Sequence, residues 1–135
     1  MITRSARLPS SRKALAALGP FLESFPEIEA LSKQKRVDLR VVVGELVTNA
    51  ILHGNRQRED LRVDISICVT SDEISIIVRD YGEGFLPEAV PDPRQPDLRE
   101  QPGGRGIFLT KQLAKSVLFE RVSPGMQVTV TFLRS

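Results

Sequence analysis

Two spacings of apolar residues divide this chain. In LRVDISICVT (61–70) Leu61, Val63, Ile65, Ile67 and Val69 alternate with Arg62, Asp64, Ser66, Cys68 and Thr70. Successive side chains of a strand point to opposite faces, so this stretch offers one face to a core and one to solvent. EISIIVRD (73–80) repeats the alternation through Ile74, Ile76 and Val78. Ser71-Asp72 between them suits a tight turn, which predicts an antiparallel hairpin. Residues 117–122 and 126–133 predict two more strands, joined by the turn residues Ser123-Pro124-Gly125. Residues 2–8 are short and mixed and read as an edge strand.

Elsewhere the spacing is helical. After a capping Ser10 or Ser11, an apolar face runs through Ala14/Leu15, Leu18, Phe21/Leu22 and Phe25. Gly19-Pro20 should kink or split that helix, and Pro26 should end it. A second helix is predicted from about Lys33 to His53, its period carried by Val37, Val41, Leu46/Val47 and Ala50/Ile51, with Gly54 at the C-terminal cap. Val41-Val42-Val43 makes it apolar nearly all round, which predicts a sheet on one side and another helix or a partner on the other. A third helix is expected over Ile107–Val117. Residues 86–104 hold five of the nine prolines and predict a loop, and a loop this long is more often functional than idle. The architecture expected is an α/β (α+β) two-layer sandwich: an antiparallel or mixed sheet of four or five strands with helices on one face. One domain over residues 1–135 accommodates it.

Composition changes this picture little. Apolar residues at 41% and charged residues at 27% suit a soluble globular protein. A net charge of +2, from 19 basic and 17 acidic side chains, argues against nucleic acid or an anionic membrane as partner. Arg4, Arg7, Arg12 and Lys13 precede ALAALGPFL (14–22), the makings of a signal peptide. Glu23 follows at once, however, no cleavage site appears, and the helical spacing assigns the run to the domain. No window has the length of a membrane span. The single cysteine, Cys68, allows no internal disulfide and fits a reducing cytoplasm.

The chemistry concentrates in three places. In ELVTNAILHG (45–54), Glu45, Asn49 and His53 recur every four residues and so share a face of the predicted helix. A carboxylate and a carboxamide in an apolar helix cost free energy unless something satisfies them. Asn49 is a neutral oxygen ligand suited to a hard divalent cation, and Glu45 one turn earlier could accept a proton from an attacking hydroxyl. Taken alone, the pair reads first as a buried carboxylate with an arginine partner and a locally packed amide. A metal site of Glu45, Asn49 and His53 alone would have a weak middle ligand and no second histidine. Asp80-Tyr81-Gly82-Glu83-Gly84 at a strand end lets a flat ring approach the backbone, with Asp80 able to accept from an exocyclic amine; alone it is an ordinary turn. Gly103-Gly104-Arg105-Gly106 opens a helix, where bare N–H groups, the helix dipole and a guanidinium favour phosphate; alone it reads equally as a hinge.

The order of these pieces is more specific than any one of them. With its helix Glu/Asn, D-x-G-x-G, proline-rich loop and G-G-R-G, the chain resembles the Bergerat-fold (GHKL) ATPases, the group of gyrase-type ATPase domains, MutL and histidine kinases. Within it the chain is similar to the small anti-sigma factor serine/threonine kinases of bacterial sporulation and stress response, and ELVTNAILHG matches their N-box almost residue for residue. The resemblance implies ATP and Mg²⁺ as cofactors. Asn49 would ligate the metal and Glu45 would act as general base. Asp80 would read the adenine amine, with Gly82 and Gly84 shaping the pocket. Gly103, Gly104, Arg105 and Gly106 would hold the β- and γ-phosphates, Arg105 also counting as catalytic, and His53 falls with the nucleotide-binding residues. Implied partners are a small anti-sigma antagonist as substrate and a sigma factor, with a homodimer expected. One departure stands out. The family commonly has Gly-Thr at the start of the last strand, its threonine helping to hold adenine, whereas here Met126 follows Gly125 and the nearest threonine is Thr129.

Competing expectations are a non-catalytic switch that binds ATP or only a partner, and the ATPase piece of a histidine kinase. The second is disfavoured because no phospho-acceptor helix precedes the N-box. Gyrase-like work on DNA needs domains for which the chain has no room.

Overall fold

A computed structural model describes residues 2–82 and 104–135, with side chains described from residue 108 in the latter stretch. Strand β1 (Ile2–Pro9) leads through a 3₁₀ turn (Arg12–Ala17) into α1 (Leu18–Glu23) and the single turn α2 (Pro26–Glu29). Helix α3 (Lys33–Asn49) continues into a π-helical turn (Ala50–Gly54). The hairpin β2 (Arg62–Val69) and β3 (Glu73–Arg79) follows, then α4 (Gly104–Leu113), β4 (Ser116–Arg121) and β5 (Met126–Leu133).

The strands lie in the order β1-β2-β3-β5-β4, and every neighbouring pair is antiparallel. Among the described residues the sheet is therefore not mixed, and the antiparallel alternative holds. Register follows the apolar alternation: Ile65 faces Val78, Ile67 faces Ile76, and Val78 faces Val128. A slip of one residue would turn every one of these side chains to the wrong face. The inner face, with Val63, Ile65, Ile67, Ile74, Ile76 and Val130 all at 0% exposure, packs under α3, whose Leu39, Val42, Val43 and Val47 are equally buried. The opposite face carries Ser5, Ser66, Ser75 and Thr131, small polar groups that pair across strands.

The first helix is split as expected: Gly19 and Pro20 fall in the opening turn of α1, where proline's missing N–H costs nothing. Three sequence expectations are corrected. Pro26 does not end a helix; it begins α2 at a first-turn position. Val37 and Val41 do not carry the buried face of α3, being 46% and 38% exposed, because the core takes Leu39, Val42, Val43, Leu46 and Val47. The last helix ends at Leu113, so Val117 belongs to β4, where it faces Val130. The predicted loop over 86–104 lies outside the described residues up to 103.

Candidate functional site

Where α3 ends, its hydrogen bonding changes. The N–H of Asn55 donates to the carbonyl of Ala50 at 2.8 Å, five residues back instead of four. His53 falls inside this wider turn. Such turns recur at functional sites. The turn also delivers Gly54 and Asn55, both buried, under the end of β3.

That strand end is held on several sides. The Asp80 N–H donates to the carbonyl of Met126 at 3.0 Å, and the Gly82 N–H donates to Asp80 Oδ1 at 3.2 Å. Gly125, at φ +99°, lies against the Asp80 carbonyl; a β-carbon there would come within 2.0 Å of that oxygen. Gly82 is equally constrained, since its β-carbon would meet the Gly54 carbonyl at 2.0 Å. Glycine is required at both positions by close backbone approach.

Asn49 and Asp80 meet in one recess, walled otherwise by Leu46, Ala50, Val78, Phe119 and Val128. Its water-accessible room is about 10 Å³, enough for an atom group of a ligand and not for a whole one. Asp80 is 3% exposed, and burial pushes its carboxyl up, with the Gly82 and Met126 bonds and the charge of Arg79 offsetting this only in part. Asn49 is 5% exposed, and its carboxamide has no hydrogen-bond partner among the described residues. An amide oxygen so placed fits a cation that completes its shell from phosphates. Glu45 is half-buried one turn earlier, and no ion pair joins it to an arginine among the described residues.

His53 is half-buried and does not line the recess. Among the described residues no three His, Cys, Asp or Glu side chains gather to hold a metal. Gly104, Arg105 and Gly106 occupy the opening turn of α4, as the helix-start reading requires. Gly84 and Gly103 lie outside the described residues. Thr129 points to the far face of the sheet, opposite Ile77 and Leu118, and cannot substitute for a threonine at 126. Met126 itself is buried on the inner side.

Two features escaped the sequence reading. Asn55, 0% exposed, bonds three separate segments; its only signal was its place directly after the N-box. On the far face the Tyr81 hydroxyl donates to Asp64 Oδ2, Arg7 Nε donates to Asp64 Oδ1 at 2.8 Å, and Arg79 stacks over the Tyr81 ring at 4.4 Å. Burial alone would raise the Asp64 carboxyl, but the bonds from Arg7 and Tyr81 and the charges of Arg7 and Arg79 outweigh it and hold it low.

Residues 8–132 match the family described as "Histidine kinase-like ATPase domain". The chain is similar to a "Serine-protein kinase RsbW" of Oceanobacillus iheyensis, 34% identical over 86 residues, covering 59% of this chain and 54% of that one. It is similar to an "Anti-sigma F factor" of Anoxybacillus flavithermus, 29% identical over 119 residues, covering 84% and 73%. A "Serine-protein kinase RsbW" of Staphylococcus epidermidis is 28% identical over 138 residues, covering 95% and 83%. The match therefore spans about half the length of the first and most of the other two. In fold, the chain resembles the histidine kinase domain of the Erythrobacter litoralis EL346 blue-light activated histidine kinase, with a TM-score of 0.58 at 20% identity, covering 93% of this chain and 61% of that one.

Proposed function

The chain belongs to the histidine kinase-like ATPase domain family, and from that premise we propose that it is an ATP-dependent serine/threonine protein kinase acting as an anti-sigma regulator. Its substrate is a serine or threonine on a small anti-sigma antagonist, and its other partner is a sigma factor or an equivalent regulator. The relatives named as serine-protein kinases and anti-sigma factors support this reading. The observation that carries it is the meeting of Asn49 and Asp80 in one recess, with Glu45 unpaired among the described residues one turn away.

Bound Mg-ATP supplies the phosphoryl group and a cation that neutralises its charge. The chain's own work is positioning and charge stabilisation. Asn49 holds the cation through its free amide oxygen, which no residue among those described competes for. Asp80 accepts a hydrogen bond from the adenine amine, while Gly82 and Gly84 leave room for the ring. Gly103, Gly104, Arg105 and Gly106 hold the terminal phosphates; the last three open α4, where backbone N–H groups have no partner within the helix. Glu45 takes the proton from the substrate hydroxyl. His53, within the widened turn, is retained only as a neighbour of the nucleotide. A homodimer in the cytoplasm completes the proposal. No helix among the described residues is long and apolar enough to cross a membrane.

One observation favours a second reading, a nucleotide-binding switch without transfer: the buried Met126 offers no hydroxyl to adenine. Incubation with labelled ATP and a candidate antagonist separates the two. Label transfer that disappears in Glu45→Ala while ATP binding persists supports the kinase. ATP binding without any transfer supports the switch, and no ATP binding removes both.

A further inference from the structure

Asn55 lies outside the recess, yet its carboxamide is used almost to capacity. Its Nδ2 donates to Ser10 Oγ at 2.8 Å and to the carbonyl of Arg62 at 2.9 Å. Its Oδ1 accepts the N–H of Tyr81 at 2.8 Å. Ser10 in turn donates to the carbonyl of Leu61 at 2.7 Å and is itself 2% exposed. The orientation of the amide is dictated by its partners. A backbone N–H can only donate and a backbone carbonyl can only accept, so the oxygen must face Tyr81 and the nitrogen Arg62. Neither aspartate nor leucine could serve all three contacts.

The acceptor arm ends on the residue that follows Asp80. Among the described residues Tyr81 N–H has this one partner, and the Asn55 α-carbon is 3.1 Å from where a β-carbon on Gly82 would stand. The donor arm ends on the close of β1 and the entry to β2. Asn55 thus ties the Asp80-Tyr81-Gly82 turn to two strands of the sheet, in a buried setting where losing one partner leaves the others unsatisfied.

We propose that Asn55 is a positioning residue for base recognition: through the Tyr81 N–H it sets where the Asp80 carboxylate sits, and so sets the preference for adenine over guanine. The assignment rests on the reading of Asp80 given above. Adenine presents an amine to that carboxylate and guanine a carbonyl oxygen, so a fixed Asp80 accepts a bond from the first and repels the second. A loosened Asp80 loses the bond and the repulsion together.

The test is calorimetric titration of the whole chain with Mg-ATP and Mg-GTP, for wild type and Asn55→Ala. One lost bond of this kind corresponds to about a tenfold weaker ATP affinity. GTP affinity should be unchanged or slightly better, so the ATP:GTP ratio falls by about tenfold or more. Amide exchange at Tyr81 should accelerate in the same variant. The core variant Ile28→Val should lower the melting temperature and leave the ratio alone. If Asn55→Ala does not fold, Ser10→Ala removes one anchor of the donor arm, and the ratio should fall by about threefold. A ratio unchanged from wild type, in either folded variant, overturns the assignment and makes Asn55 a structural residue only. A wild type that binds no ATP overturns the nucleotide reading itself and this assignment with it.

Discussion

Gly54 presses its α-carbon against the carboxylate of Asp80: a β-carbon there would stand 2.2 Å from Oδ2 and 2.9 Å from the Asp80 β-carbon. The helix that carries Asn49 and the strand end that carries Asp80 therefore touch at a point where no side chain fits. Gly54→Ala must push the Asp80 turn aside. Overpacking of this kind costs about 1–3 kcal/mol, and the displaced carboxylate should lower ATP affinity by about tenfold. Thermal melting and calorimetric titration of the variant check both. Unchanged affinity in a folded variant would show that Asp80 does not read the base.

Asp80 should trade stability for recognition. Its carboxyl is raised in the folded chain, chiefly by burial, so the fold binds that proton more tightly than the unfolded chain does. Stability is therefore greatest below the ordinary aspartate value of 3.8 and declines as pH rises through the folded value. Asp80→Asn removes the titration while keeping an oxygen to accept the Gly82 N–H. It should melt higher than wild type at neutral pH, converge with it below about pH 3.8, and bind ATP at least about tenfold more weakly. Melting curves across pH, with titration at neutral pH, test this.

The opposite sign is expected of Asp64. Its carboxyl is held low, so its contribution is present above the ordinary value of 3.8 and disappears as pH falls through the lower folded value. Arg7 is 66% exposed on its side chain, so solvent screening keeps the contribution of the pair small. Asp64→Asn should lower the melting temperature at neutral pH by a few degrees at most, with the difference vanishing in acid. A difference that persists in acid would mean that the lost stability is not the ion pair.

Met126→Thr should restore a hydroxyl on the inner side of β5. The position is buried and its carbonyl already accepts from the Asp80 N–H, so the side chain starts beside the recess. One added bond to adenine is expected to tighten ATP binding about three- to tenfold. Loss of the methionine's apolar contacts should cost about 1–3 kcal/mol of stability. Titration and melting of the variant measure the two effects separately.

The hairpin, the final two strands and the long buried helix were legible because period-two and period-3.6 patterns state directly which side chains share a face. Ser123-Pro124-Gly125 marked its own turn. Less could be read where two local rules compete. Pro26 breaks a helix in its interior and starts one at its first turn, and only the surrounding chain decides which applies. Val37 and Val41 fit an apolar stripe as well as Leu39 and Val43 do, but α3 can turn only one side to the sheet.

The chemistry followed the same division. Glu45, Asn49, Asp80 and the glycine clusters were visible as residue types in a telling order, because an amide in an apolar helix and a D-x-G-x-G at a strand end are each unusual locally. That Asn49 and Asp80 share a recess is a fact of packing, made by the widened turn at Ala50–Gly54 and by glycines at 54, 82 and 125 that let backbones touch. Asn55 lay deeper still. Its partners Ser10, Arg62 and Tyr81 belong to three different segments. No spacing along the chain announces a residue whose whole role is to join distant pieces.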